Sequence, residues 1–428
     1  MAIGAVSTAV LSLVLTSPLA AQVRQYTPPG GAADEATGRK ESLDKAVEEA
    51  RWHAGPVRLD PAIWISDLAW VDRPADAVSD SGSDLTARAG AGLRAYLPVG
   101  SKTTVAAYAL PEYVWWKERA EERRVNQRFG LGTFTYFNRL AIALTAQRNE
   151  DFDYATGEIL QRYTSRNEML ALDLEVPILH RLTVFAHGAD TSVRSLVDSA
   201  SDPLLASFFD DLDRDDLAYR GGVRYYPSEK LRIGAGVGHS ETEFVSGALD
   251  GSNAGDFWYL EAGYERPKLL VDLLYQENRL AAKGGSEFSD FDSSTGGARV
   301  EWIPRESFRV RLYGARQLAY SLLVEDASAY VDQMAGAGVD FAIGWRLRLD
   351  LYGETGRHSY QGDAVTARVD DVASYGVDLR VELPWKLNLQ VGYQESKITP
   401  PAGSGLPGQK VTQFLANLGF GVGQGTWY

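Results

Sequence analysis

The chain has 428 residues, a formal net charge of −14 and no cysteine. The acidic balance argues against a nucleic-acid partner, because phosphate binding needs clustered Lys and Arg. The lack of cysteine excludes disulfides, cysteine metal sites and a lipidated N-terminal cysteine. With 42 Gly, 10 Trp and 21 Tyr, the composition favours strands and aromatic belts over a helical protein.

The first 21 residues have the pattern of a secretory signal peptide. An apolar run at 5–15 is followed by small residues that end at Ala20 and Ala21. The usual positive charge ahead of the run is missing, since the first basic residue is Arg24. We therefore assign 1–21 to a signal peptide and keep a transmembrane helix as the alternative, although the run is short for one.

Residues 22–55 combine a linker with a short helix. The linker "QVRQYTPPGGAADEATG" is rich in turn formers. In "RKESLDKAVEEARW", Leu43, Ala46, Val47 and Ala50 recur at helical spacing and predict a narrow apolar stripe near residues 39–51. We expect this helix to dock in the periplasm beneath a barrel mouth, with docking inside the lumen as a plug as the alternative.

From residue 56 to 428 the pattern is uniform and predicts one antiparallel β-barrel. The stretch "WKLNLQVGYQE" at 385–395 alternates strictly between apolar and polar or small residues, as a strand with one wet face does. Short turns recur roughly every 40 residues, with two such strands and a longer polar loop between them, whereas a propeller would place four short strands in that length. Counting both strands of every hairpin gives an all-β transmembrane barrel of about 18 strands (16–18), with short periplasmic turns and longer outer loops.

The width of such a barrel decides which face meets lipid. Sixteen to 18 strands enclose an aqueous space, so an inward apolar face would line a wet hole. We therefore predict that the apolar face points outward, and closure removes the strand edges that hydrocarbon cannot tolerate. Aromatic residues beside the short turns fit an interfacial belt, although strands favour aromatics in general. They are Tyr225, Trp302, Phe308, Trp345 and Trp385.

These patterns resemble bacterial outer-membrane β-barrels, specifically large porin-like barrels. The final "GTWY" is similar to the terminal aromatic signature of that family, and 55–72 is similar to the first strand of barrels associated with exopolysaccharide systems. The resemblance implies a Gram-negative outer membrane, contact with its lipid, and recognition of the C-terminal strand and Tyr428 by the assembly machinery.

Charged residues at inward positions predict the lining of the pore. Most of them lie near the short turns, while Gly90, Gly92, Gly234, Gly236 and Gly238 suggest a wider outer half. Such residues could form an eyelet that selects solutes by charge, or a mesh of Arg–carboxylate pairs that stiffens the wall. Asp173 and Glu175 are also inward, and the predicted lining is Arg88, Arg94, Arg220, Arg224, Glu261, Glu265, Arg299, Glu301, Arg309, Arg311, Asp340, Arg346, Arg348, Asp350, Asp378 and Arg380.

One outer loop is dense in carboxylates: Asp210, Asp211, Asp213, Asp215 and Asp216. It could contact Ca²⁺ or the divalent ions of surface lipid, although a solvated loop explains the same composition. Beside it, Phe208 and Phe209 could dock the loop inward as a constriction.

No catalytic motif accompanies the barrel pattern, so we predict neither enzymatic activity, nor a cofactor, nor a metal site. The preferred function is a channel for small hydrophilic solutes with a charged lumen. The alternatives are exopolysaccharide export and a blocked-lumen structural or surface-interaction barrel.

Overall fold

We describe the fold from a computed structural model. It describes residues 36–72, 83–118, 120, 123–154, 156–159, 162–197, 203–245, 251–322, 327–344, 346–362, 368–384, 387–402 and 408–420. The predicted signal peptide 1–21, Trp345, Trp385 and Tyr428 lie outside these residues. Within the described ranges, neither helix is long and apolar enough to cross a membrane.

In the described part of the chain, two helices accompany 21 strands in a single sheet. The helices are α1 (Ala36–Glu49) and α2 (Pro203–Asp210). The strands are β1 (Trp52–Ala54), β2 (Val57–Asp72), β3 (Ser83–Val99), β4 (Thr103–Ala109), β5 (Glu112–Trp116), β6 (Arg124–Asn126), β7 (Arg128–Phe137), β8 (Leu140–Tyr154), β9 (Arg162–Leu179), β10 (Leu182–Ser195), β11 (Arg214–Ser228), β12 (Leu231–Phe244), β13 (Asn253–Arg266), β14 (Leu269–Ala282), β15 (Phe291–Arg305), β16 (Phe308–Tyr320), β17 (Ala329–Ile343), β18 (Leu347–Gln361), β19 (Val369–Leu383), β20 (Leu387–Thr399) and β21 (Gln409–Phe420).

The sheet closes on itself as an 18-stranded antiparallel barrel. Each wall strand pairs with the next along the chain, and β21 pairs with β2 to complete the ring. The third wall strand consists of β4 and β5, and the fourth consists of β6 and β7. The third strand is interrupted at Leu110 and Pro111, because proline has no N–H for the ladder. The predicted fold class and strand number are confirmed, and α1 confirms the predicted short helix.

The two ends of the barrel differ as the sequence predicted. At one end, consecutive strands are joined by two or three residues, for example 100–102, 229–230 and 306–307. Gly100 and Gly344 occupy such turns with φ of 65° and 66°, a conformation that side chains with a Cβ rarely adopt. We call this the short-turn end. The opposite end carries the longer connections and α2, and we call it the loop end.

Exposure separates the two faces of the wall. On β20, Val391 is 47% exposed on the outer face, whereas neighbouring Gln390 faces the lumen and is 7% exposed. Tyr225 and Trp302 are exposed beside short turns, where an interfacial belt belongs. The buried apolar residues form several small clusters rather than one core, and the larger clusters lie inside the barrel.

Candidate transport lumen

The predicted pore-lining residues lie on the inner face of the wall with one exception. Arg346 is in the turn that precedes β18 and is exposed. Glu265 and Arg348 point inward by alternation but are exposed, because they lie at the short-turn rim. Farther inside, Arg88, Arg94 and Asp350 are at least 95% buried.

Most of these inward arginines are paired with carboxylates. On one side of the lumen, Arg224 Nε donates to Glu261 at 2.6 Å, and its Nη1 lies 3.8 Å from Glu175. Across the lumen, Arg311 binds both Asp340, at 3.2 Å, and Asp350. Glu301 likewise accepts from Arg299 and Arg309.

Two further carboxylates, which are absent from the predicted lining, complete this mesh. Asp60 Oδ2 lies 3.6 Å from Arg94, and Glu112 accepts from both Arg88, at 3.2 Å, and the Trp64 indole, at 2.7 Å. Both residues follow the inward period of their strands, so alternation could have found them. The break at Pro111 hides Glu112, because it separates β5 from the longer run of β4.

Arg348 and Arg380 are different from the other inward arginines. They are register partners on β18 and β19 and share the inner face. Among the described residues, neither has a carboxylate oxygen within 4.0 Å of its guanidinium nitrogens. Like charges placed directly opposite each other destabilise a sheet. These two positions therefore offer positive charge to the lumen near the short-turn end.

The bare inward glycines do not widen the lumen, contrary to the prediction. Neighbouring side chains lie over them: Trp64 over Gly90, Tyr259 over Gly236 and Phe257 over Gly238. A Cβ at Gly236 would come within 2.5 Å of the Tyr259 hydroxyl oxygen. The glycines therefore provide the space in which inward aromatic rings lie against the wall.

Arginine side chains lie over inward aromatic rings and thicken the wall further. The Arg224 guanidinium lies 4.0 Å from the centroid of Phe185, and that of Arg220 lies 5.9 Å from Tyr259. A cation that lies over the face of an aromatic ring is attracted to the ring, more strongly where water is excluded. The β10–β13 side of the lumen is thus filled by aromatic rings and guanidinium groups.

Helix α1 lies inside the lumen rather than in the periplasm beneath the mouth. Leu43 is fully buried among inward residues of β3, β4, β7 and β8, namely Tyr96, Ala106, Phe134 and Ala143. At the start of the helix, Arg39 Nη1 donates to Asp173 on β9 at 2.9 Å, and His187 contacts the other oxygen of Asp173 at 2.7 Å. The inward wall supplies an apolar socket and a carboxylate, which is why the narrow stripe of α1 docks there.

The chain just after α1 is also attached to the wall. Arg51 Nε donates to Asp60 at 2.7 Å, and Asp60 in turn lies beside Arg94. The hairpin of β1 and β2 follows directly. Helix α1 is therefore held at both ends and in its middle.

At the loop end, the top of the β16–β17 hairpin leans into the barrel. We call residues 318–322 and 327–331 the mouth hairpin. The β15–β16 ladder extends only as far as Gly296, whose φ of 151° and lack of a Cβ let the strands separate. Tyr320 then reaches across to β11–β13, where its ring lies 5.5 Å from the Arg214 guanidinium and its hydroxyl accepts from Asn253 at 3.0 Å.

The tip of the mouth hairpin meets two other loops over the lumen. Leu322 is buried with Ile159 of the β8–β9 loop and with Phe209 of α2. Tyr163 stacks on Phe209 with ring centroids 4.7 Å apart. Phe208 packs against the same cluster. The cluster joins distant parts of the wall, so these loops narrow the mouth, with Phe208 and Phe209 docked inward.

Glu158 is the polar centre of this closure. It is 1% exposed, and its carboxylate accepts from the Ser321 hydroxyl at 3.0 Å and from the Leu322 amide. Its backbone carbonyl accepts from Gln409 Nε2 at 3.1 Å. The loop between β8 and β9 thereby holds both the mouth hairpin and the start of β21. Glu158 is a single acid in a short loop, so the sequence pattern gives no signal that would single it out.

The aspartates of the α2 loop are not gathered around one point. Asp213 accepts from the Ser195 amide at 2.5 Å, Asp215 pairs with Arg194 at 2.7 Å, and Asp216 pairs with Arg214 at 3.0 Å. Throughout the described part of the chain, no group of three or more His, Asp or Glu could hold a metal ion. These carboxylates fasten the loop to β10 and β11.

Solved structures with the same architecture are porin-type channels. OccAB3 of Acinetobacter baumannii is 10% identical with a TM-score of 0.51, and the match covers 85% of this chain and 99% of that protein. The protein has the fold of an outer-membrane porin. The bacterial outer membrane, predicted as its location, agrees with this fold.

Two Pseudomonas aeruginosa proteins give similar matches. OccK2 (OpdF), solved in complex with glucuronate, is 11% identical with a TM-score of 0.51 over 85% of this chain and 98% of that one. OccK3 (OpdO) is 13% identical with a TM-score of 0.50 over 91% and 99%. No family model and no curated protein matches the sequence. At these identities the likeness concerns the fold alone.

Proposed function

We propose that this porin-fold protein is a channel that passes small hydrophilic solutes across the outer membrane, and not an enzyme. Eighteen strands enclose an aqueous interior, and the inner face carries charged side chains at many levels. The solved neighbours with this fold are outer-membrane proteins, and one of them binds glucuronate.

The observation that carries the proposal is the difference between paired and unpaired arginines. Mesh pairs such as Arg311 with Asp340 and Asp350 stiffen the wall, because each guanidinium is already satisfied by carboxylates. Arg348 and Arg380 have no such partner among the described residues, and they face the lumen near the short-turn end. A solute carboxylate could replace water at these two guanidinium groups, so the proposed cargo includes small organic anions.

Exopolysaccharide export and a blocked-lumen surface barrel stay as predictions from the sequence. The contacts of the mouth hairpin favour a narrow entrance, which suits small solutes better than a polymer chain. A permanently blocked lumen would instead give no ion current.

The test is the current through the purified full-length protein in a planar lipid bilayer. We expect discrete conductance steps, and we expect added glucuronate to reduce the current in a concentration-dependent way. Replacing both arginines (Arg348→Gln with Arg380→Gln) should weaken that block, whereas Arg266→Gln at the rim should not. Absence of any current would contradict the channel function, and an equal block in all three proteins would contradict the role of the arginine pair.

A further inference from the structure

The exposed face of α1 is acidic and points away from its docking socket. Glu41 and Glu48 lie on the side of the helix opposite Leu43, and both are exposed. Asp44 and Glu49 are neutralised in part by Lys40 and Lys45 of the same helix. Glu41 and Glu48 have no ion-pair partner in the part of the chain that the structure describes.

The position of α1 makes this face part of the lumen. The buried side of the helix contacts inward residues from β3 to β9, so its opposite side looks toward the barrel axis. The socket residues Ala106 and Phe134 lie four positions from short turns, as does Arg380, whereas Arg348 lies two positions from its turn. The socket of α1 and Arg380 are therefore at a similar depth, and Arg348 lies nearer the short-turn rim.

The arginine pair lies on another side of the ring. Strands β18 and β19 are separated from β3–β9 by β20, β21 and β2 in one direction and by β10–β17 in the other. Two carboxylates and two guanidinium groups that have no ion-pair partner among the described residues thus face the short-turn half of the lumen from different walls. Fixed charges of opposite sign on facing walls produce an electric field across the pore that is strong where the walls exclude bulk water.

We propose that α1 is a selectivity element of this channel, in which Glu41 and Glu48 form the cation-attracting wall opposite Arg348 and Arg380. The proposal rests on the proposed channel function and specifies its solutes further. A solute that carries separated positive and negative groups lowers its energy by aligning with this field. A solute with one sign of charge is attracted by one wall and repelled by the other. The short-turn end of the lumen therefore favours the passage of zwitterionic and other dipolar solutes.

The attachment of α1 supports a fixed role in the wall. Arg39, Leu43 and Arg51 hold the helix at three points, so its carboxylates keep their position relative to β18 and β19. Fixed positions are needed for an electric field across the pore. Charges that moved would give a weaker average field and would be screened by ions.

The first test measures the reversal potential of the full-length protein in a planar bilayer under a KCl gradient. Glu41→Gln with Glu48→Gln should lower the K⁺/Cl⁻ permeability ratio several-fold, and Arg348→Gln with Arg380→Gln should raise it. The control, Glu229→Gln with Glu306→Gln, removes two exposed acids from the short turns and should leave the ratio near that of the parent. A ratio that is unchanged by the α1 substitutions, or changed equally by the control, would overturn the proposal while the channel function stands.

The second test compares liposome swelling with zwitterionic β-alanine and with neutral glycerol. Either lumenal double substitution should lower the β-alanine rate relative to the glycerol rate, because it removes one wall of the field. Equal relative rates in the parent and both variants would refute the preference for dipolar solutes. A parent that passes neither solute nor ions would refute the channel function itself, and the selectivity proposal with it.

Discussion

At the scale of single residues, strict alternation assigns nearly every side chain to lipid or to the lumen. Neighbours such as Val391 and Gln390 differ in exposure because successive Cβ atoms point to opposite faces. The outer face needs only apolarity, whereas most charged inward side chains have a specific partner. A substitution should therefore have very different effects at adjacent positions.

A lysine at Val391 should destabilise the folded barrel by about 2–4 kcal/mol, because the outward position places the charge in hydrocarbon. Lysine at Asn388 on the inner face of the same strand should be nearly neutral, since its register partner there is Glu382. Urea unfolding of the two variants in lipid vesicles would measure the difference. Equal free energies of unfolding would mean that the faces are assigned wrongly.

Single residues also show where sequence reasoning stops. Alternation predicts that Gly236 faces inward, but it does not reveal that Tyr259 lies over it from the next strand. That fact depends on the register between strands, which one sequence does not display. For the same reason the apolar stripe of α1 predicts a docked helix without indicating that its socket lies inside the lumen.

At the scale of elements, the two ends of the lumen are narrowed by different means. Helix α1 occupies one side of the short-turn end, and the mouth hairpin, α2 and the β8–β9 loop meet at the loop end. Repeated turns predict where the loops are, but the inward lean of the mouth hairpin follows from contacts between distant loops. Such contacts carry no periodic signal, so the closure of the mouth could not be predicted.

Replacing Glu158 with Ala should loosen the closure at the loop end. The change leaves the Leu322 amide and the Ser321 hydroxyl without their acceptor, and a buried unsatisfied donor costs about 1–3 kcal/mol. We expect a higher mean conductance in planar bilayers than for the parent. Glu287→Ala, which removes an exposed acid at the same end, is the control and should behave like the parent. A conductance of Glu158→Ala equal to that of the control would show that the closure does not limit the current.

Deletion of residues 22–50, with the first 21 residues kept, should leave the barrel folded and raise its conductance. The helix packs on the finished wall and contributes no strand to the ring, so its loss frees space without breaking a ladder. Single-channel recordings would measure the change. Failure of the deleted chain to assemble would show that α1 is required for folding, and an unchanged conductance would show that it does not limit passage.

At the scale of the whole molecule, closure of the sheet determines how the protein behaves in detergent. Every wall strand is paired with a neighbour on both sides, although the loop-end parts of β15 and β16 separate beyond Gly296. The ring therefore has no full-length open edge for detergent or another chain to enter. Length, turn spacing and alternation were sufficient to predict this ring and its strand number. The reason is that a barrel is built from one local pattern repeated around a circle.

The purified protein should migrate faster on a detergent gel when unheated than after boiling, because the folded ring stays compact until heat opens it. The two bands should convert in one step with temperature. Identical mobility in both states, together with solubility without detergent, would be incompatible with the barrel.

The pairing of β2 with β21 also has a consequence for how the chain is made. Ile63 pairs with Phe420, so the contact that completes the ring joins residues from opposite ends of the sequence. Contacts of such separation form late, because the intervening chain must first be ordered. Until β21 arrives, β2 and the most recently formed strand present two open edges that can pair with other chains. A prematurely ended chain therefore gives no smaller version of the barrel, but an aggregation-prone sheet that must be shielded or degraded.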